Sequence, residues 1–139
     1  MKRIFFLSFL LFIFACHSSI IRPKAETLKE SWKRYWTYTK QGNFKKAFYY
    51  EHLSISTKIT PEKYAKNQTK ALTIKAFEFL GIGKEGSGPM GSTPIKMRLV
   101  TDWPPVVPIK EDRIIVINDY WIKKKGRWYH LRPGVTRYW

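Results

Sequence analysis

The residues best suited to chemistry lie near the C-terminus, where an acid interrupts an apolar strand. Asp119 follows Ile115 and Ile117 at alternate positions and precedes Trp121. A carboxylate placed in this way at the mouth of a pocket could serve as a general base. Alternatively, Asp119 pairs with a neighbouring arginine or lysine at the end of the strand. His130 lies in the next predicted strand, and we expect it to be a hydrogen-bonded packing residue rather than a catalyst.

The other ionisable candidates are Glu78 and His52, which lie in different parts of the chain. The three histidines stand at positions 17, 52 and 130, and no pair of them has the close spacing that is typical of a metal site. We therefore expect neither a bound metal nor a cofactor.

The first part of the chain has helical patterns. Apolar and aromatic residues recur every three or four positions over residues 25–40, and a shorter helix is predicted over residues 44–51. Thr60 and Pro61 then form a typical helix start, with a capping hydroxyl followed by a proline at the first helical position. The aromatic side chains at helical spacing are more typical of a core than of a ligand cavity, although Trp36 could serve either purpose.

The second part of the chain has strand patterns over residues 73–82, 94–101, 113–122 and 128–131. Residues 94–101 alternate between apolar and basic side chains, which is typical of a strand with one buried face. Residues 113–122 are apolar at both alternating sets, which predicts a central strand covered on both faces. Helices followed by an antiparallel meander indicate an α+β domain, with the helices packed on one face of a curved sheet.

Three features resemble the nuclear transport factor 2-like superfamily, which includes ketosteroid isomerases, dehydratases and small exported proteins. They are the long N-terminal helix, the closing hairpin of residues 119–129 and the helical turn Gly42-Asn43-Phe44-Lys45-Lys46-Ala47-Phe48. The resemblance implies a cone-shaped fold with a pocket between the helices and the concave sheet. It would place Trp36, Asp119 and Trp121 at that pocket. The catalytic Tyr and Asp spacing of the steroid isomerases has no counterpart in this chain.

The N-terminus is typical of an export signal. Lys2 and Arg3 precede an apolar run over residues 4–14, which is shorter than the roughly 20 residues that span a bilayer. Ala15 and Cys16 then resemble the lipobox of bacterial lipoproteins, in which the signal is cut before a cysteine that carries the lipid. This predicts a signal peptide over residues 1–15, a lipidated Cys16 with a tether to residue 24, and one domain over residues 25–139. The alternatives are an ordinary secretory signal and an uncleaved helix.

The chain is strongly basic, with 26 lysines and arginines against 10 acids and a formal charge of +16. The lysines are spread along the sequence, and residues 123–125 form the single run of three. Spreading favours an anionic membrane surface or a solvated exterior over a nucleic-acid site, which normally has clustered basic residues. We expect no nucleic-acid partner.

Together these features predict a lipid-anchored, non-catalytic protein of the cell envelope. It would bind a small hydrophobic ligand or act as an accessory subunit beside another envelope protein. His17 and Ser18 follow the cysteine with no aspartate, which by analogy with lipoproteins favours the outer membrane, facing the periplasm. The alternatives are a small enzyme of the isomerase or hydrolase type and a scaffold that pairs with a protein through its sheet.

Overall fold

A computed structural model describes residues 26–68, 73–103 and 106–132. These form four helices and then a four-stranded antiparallel sheet in the order β1-β2-β3-β4. The predicted α+β class is confirmed, whereas the signal peptide, Cys16 and the tether lie outside the described residues. The elements are α1 (Leu28–Lys40), α2 (Phe44–Phe48), α3 (Leu53–Ser56), α4 (Pro61–Asn67), β1 (Ile74–Ile82), β2 (Thr93–Thr101), β3 (Arg113–Lys124) and β4 (Arg127–Leu131).

Local capping groups fix where the longer helices begin. The Thr27 hydroxyl accepts the backbone N–H of Glu30 (3.3 Å), and the Glu30 carboxylate accepts the backbone N–H of Thr27 (2.8 Å). This reciprocal pair starts α1 at Leu28, three residues later than the sequence pattern predicts. Thr60 caps α4 as predicted, and Pro61 occupies its first turn.

The predicted helix over residues 44–51 is wrong in its second half. The chain leaves α2 after Phe48 because its backbone then bonds to β4. The His130 N–H donates to the Tyr50 carbonyl (2.6 Å), and the His52 N–H donates to the His130 carbonyl (2.9 Å). This bridge places Glu51 beside the last strand. Two strand hydrogen bonds replace the helical ones that would have continued α2.

The core lies between α1 and one face of the sheet. The inward residues of β2 are Ile95, Met97 and Leu99, all buried, as the alternating sequence predicts. They belong to one cluster with aromatic residues of α1. In that cluster, the Trp32 ring meets two phenylalanine rings of β1 edge-on, each at 5.5 Å between centroids. Trp32 is therefore a core residue, as predicted.

The prediction that β3 is covered on both faces is wrong. β3 pairs with β2 on one side and with β4 on the other, so its place in the sheet is internal. Nevertheless Ile114 is 65% exposed and Val116 is 51% exposed. The helical layer lies on the opposite face, and an antiparallel sheet can leave its second face open to water. Within the described ranges, no helix is long and apolar enough to cross a membrane.

Candidate functional site

Three ionisable side chains lie together in the protein interior. Glu51 is 1% exposed, Asp119 is 5% exposed and His130 is 6% exposed. Asp119 comes from the inner face of β3, and His130 lies opposite Trp121 on the paired strand β4. The backbone bridge between Glu51 and His130 places Glu51 beside this strand. Buried charges are costly unless they are paired and hydrogen-bonded, so their partners decide what the group can do.

The Asp119 carboxylate is held by three donors. The indole N–H groups of Trp36 and Trp121 donate to its Oδ2 at 2.9 and 2.8 Å. The Nε2 atom of His130 lies 2.7 Å from its Oδ1. Both oxygens therefore already accept hydrogen bonds, two at Oδ2 and one at Oδ1. A carboxylate in this state is poorly placed to take a proton from a substrate.

One oxygen of the Glu51 carboxylate accepts hydrogen bonds from a second set of donors. The hydroxyls of Tyr35 and Tyr64 donate to Oε1 at 2.6 and 2.7 Å, and Nη2 of Arg132 donates to the same atom at 2.7 Å. The other oxygen, Oε2, lies 3.3 Å from Nδ1 of His130. That contact is an ion pair without the alignment of a hydrogen bond. His130 thus lies between two acids, one at each ring nitrogen.

The surroundings of His130 favour its protonated form. Burial by itself would lower the pKa of His130, but the charges of Asp119 and Glu51 outweigh it and raise that pKa to about 9. Burial likewise would raise the pKa of Glu51, yet the charges of His130 and Arg132 lower it to about 2. At neutral pH the group therefore holds two carboxylates and two cations. These charges cancel.

The same cluster raises the pKa of its tyrosines. Burial and the neighbouring charge of Glu51 hold the pKa of Tyr35 well above its usual value, and the pKa of Tyr64 is raised mainly by burial. Both hydroxyls therefore stay neutral and act as donors. We name Tyr35, Glu51, Tyr64, Asp119, His130 and Arg132, together with the indoles of Trp36 and Trp121, the buried charge cluster.

The structure brings two of the sequence candidates together and leaves two apart. Asp119 and His130 are bonded, so the cation beside Asp119 is a histidine rather than the expected arginine or lysine. Glu78 lies on β1 and pairs at the surface with Arg98. His52 contacts His130 through its backbone, since its N–H donates to the His130 carbonyl. Sequence reasoning missed Glu51, whose position just after a run of aromatic residues was its one available signal.

An open groove of about 500 Å³ lies against one side of the buried charge cluster. Helix α1 contributes Tyr35, Trp36 and Thr39, β3 contributes residues 117–120, and the chain at the end of β4 contributes His130, Leu131 and Arg132. Trp36 and Asp119 thus line the groove. The third residue of the expected pocket, Trp121, is fully buried and does not line it.

The groove lies beside the part of β3 that β4 does not reach. β4 pairs only with residues 120–124 of β3. On that side, residues 113–119 have no strand partner within the part of the chain that the structure describes. Among the described residues, none pairs with this edge of β3, and the groove lies there beside α1.

Among the described residues, no group of three or more His, Cys, Asp and Glu side chains is arranged to hold a metal ion. Comparison with protein-family models, with curated proteins and with solved structures finds no match. The interpretation of the site therefore depends on its own geometry.

Proposed function

We propose that the protein is a lipid-anchored, non-catalytic component of the cell envelope whose groove binds a small hydrophobic ligand. The observation that carries this proposal is the open groove of about 500 Å³ beside Trp36. Its volume lies in the range of small-molecule sites, about 300–1,000 Å³. Ile117, Tyr120 and Leu131 add apolar surface to its lining. The resemblance to the nuclear transport factor 2-like superfamily implies a pocket that includes Trp36 and Asp119, and both residues line this groove.

The internal bonding of the buried charge cluster favours binding over catalysis. A general base needs a lone pair that can reach the substrate, and both oxygens of Asp119 already accept hydrogen bonds. His130 has an acid at each ring nitrogen. An isomerase- or hydrolase-type enzyme would have to break these contacts first. The cluster instead holds Trp36 in a fixed orientation at the groove.

We expect Thr39→Trp to weaken binding of the neutral dye Nile red at least about tenfold, because the indole would fill the groove. The matched control is Thr37→Trp on the same helix. Each threonine hydroxyl donates to the carbonyl four residues earlier, at 2.7 Å for Thr37 and 2.9 Å for Thr39. Only Thr39 lines the groove.

Dye fluorescence titration of the wild type and both variants measures this. The control should stay within about twofold of the wild type, since it leaves the groove open. Absence of dye uptake by the wild type, or equal uptake by the Thr39→Trp variant, would remove the groove from consideration. If the wild type binds the dye and the Thr39→Trp variant does not, extraction of a reproducible bound compound from purified wild-type protein would identify the natural ligand.

A scaffold role is the second candidate, and one observation favours it. Ile114 and Val116 are exposed on the face of β3 that points away from the helices. Apolar side chains grouped in this way are common where proteins associate. This candidate gains weight if Nile red does not bind and the protein is purified from cells together with an envelope protein.

The envelope location is proposed from the sequence alone. A lipidated Cys16 would hold the domain at a membrane, with the outer membrane facing the periplasm as the favoured site. Removal of the proposed signal peptide takes away Lys2 and Arg3, and the remaining net charge of +14 would add attraction to anionic headgroups, worth about 1 kcal/mol for each basic residue close to the surface. The lipid anchor and the charge attraction respond differently to salt. Salt screens the attraction between basic residues and headgroups, whereas an acyl chain stays embedded in the membrane.

Cys16→Ala should therefore abolish incorporation of labelled palmitate and release the protein from washed membranes. The lipid would be attached to the sulfur atom of Cys16, and the alanine side chain has no atom that could carry it. Membrane fractions washed in high salt and compared with a Ser18→Ala control measure this. If the Cys16→Ala protein remains lipid-labelled and membrane-bound, the proposed anchor is wrong.

A further inference from the structure

Arg132 is only partly used by the buried charge cluster. Its contacts to Glu51, Tyr64 and Tyr35 all come from one nitrogen, Nη2, at 2.7, 2.8 and 3.2 Å. A guanidinium carries five N–H donors on three nitrogens. Within the described ranges, nothing accepts a hydrogen bond from Nε or Nη1. Among the described residues, three donors of this side chain therefore have no acceptor.

The position of Arg132 gives those donors access to the groove. Its side chain is 33% exposed, against 1% for Glu51, and it is part of the groove lining. The contact to Glu51 fixes the guanidinium at one end, so a ligand would meet a positioned group rather than a mobile one. Less side-chain freedom is then lost on binding.

The open donors restrict which ligand the groove can take. A ligand that covers Arg132 with apolar surface would remove water from three N–H groups and leave them unpaired, which is costly. A cationic ligand would be repelled by the guanidinium. A carboxylate accepts from several donors at once, and its hydrogen bonds to an arginine are among the strongest in proteins.

We propose, on the basis of the hydrophobic-ligand function above, that the groove binds an amphiphile whose carboxylate lies at Arg132 and whose apolar body lies along Trp36 and Ile117. The charges of the buried charge cluster cancel one another, so the carboxylate is recognised by the unused donors. Without the proposed signal peptide the net charge is +14, which favours the approach of an anion over long range.

Competition for bound Nile red tests this with two ligands that have the same tail. Laurate should displace the dye at a concentration at least about tenfold lower than dodecanol, which lacks the charge. Arg132→Lys should reduce this laurate-to-dodecanol ratio to below about threefold, because lysine keeps a charge beside Glu51 and loses the additional donors. Arg98→Lys, at a surface arginine outside the groove, should keep the full advantage.

The possible failures are distinguishable. Equal displacement by laurate and dodecanol overturns the carboxylate assignment and leaves the hydrophobic groove standing. An advantage that persists in full in Arg132→Lys shows that the additional guanidinium donors do not recognise the carboxylate, and it also overturns the proposal. If the wild type takes up no Nile red, the proposed function itself fails.

A measurement on the wild type needs no variant at Arg132. Laurate labelled with carbon-13 at its carboxyl group reports the titration of that group by NMR. Bound beside a guanidinium, the carboxyl should have a lower pKa than free monomeric laurate. A raised pKa would place the carboxyl group in apolar surroundings away from Arg132 and would contradict the proposal.

Discussion

Replacing Glu51 with alanine should lower the free energy of unfolding by about 3–5 kcal/mol, the range found when one partner of a buried ion pair is removed. The substitution leaves Arg132 and His130 as cations without this acid. It also removes the acceptor of two tyrosine hydroxyls, which donate to Glu51 at 2.6 and 2.7 Å. Urea unfolding followed by tryptophan fluorescence measures the loss.

The matched control is Glu78→Ala. Glu78 also pairs with an arginine, Arg98, but the side chains of both residues are about half exposed. Surface pairs of this kind contribute about 0–1 kcal/mol, so the control should change little. Glu51→Gln is a further test, since the amide keeps an acceptor oxygen and loses the charge. If Glu51→Ala were no more destabilising than Glu78→Ala, the buried charge cluster would not hold the fold together.

Local signals were enough to predict α1, the start of α4 and the four strands, but not the end of α2 or the short helix α3. Thr60 and Pro61 mark the start of α4 because a cap and a proline act within one helical turn. The alternation along β2 predicts its buried face, since successive side chains of a strand point to opposite sides. Asp119 is conspicuous in the sequence for the same reason, as an acid at an otherwise apolar position of β3.

The partners of Asp119 and Glu51 depend on contacts between distant parts of the chain. Tyr64 and Arg132, which both bind Glu51, lie 13 and 81 positions away from it. The residues that precede Glu51 continue the pattern of α2, so its departure into a bridge with β4 has no local signal. The groove is equally hidden, since its lining combines residues of α1, β3 and the end of β4. Sequence patterns identify each of these elements but not how they come together.

Raising the pH from about 6.5 to 9 should destabilise the protein through His130. In the unfolded chain this histidine loses its proton near its ordinary value of 6.5, whereas in the folded protein its pKa is about 9. Between these values the folded state binds the additional proton, so the free energy of unfolding falls as the pH rises. The contribution of His130 is fully present below pH 6.5 and is lost as the pH passes through about 9. The difference between these two pKa values corresponds to a loss of roughly 3 kcal/mol in the free energy of unfolding.

Urea unfolding at a series of pH values across this window measures the decline, and His130→Gln is the variant that tests its origin. Glutamine keeps a polar side chain beside Asp119 but does not titrate, so the slope should become nearly flat although the variant is less stable throughout. The window ends below the ordinary tyrosine pKa of 10, before Tyr35 and Tyr64 ionise in the unfolded chain. Equal slopes for the two proteins would mean that His130 does not carry a stabilising charge. On the acid side the sign reverses, because the pKa of Glu51 is lowered to about 2 and its contribution is lost as the pH falls towards that value.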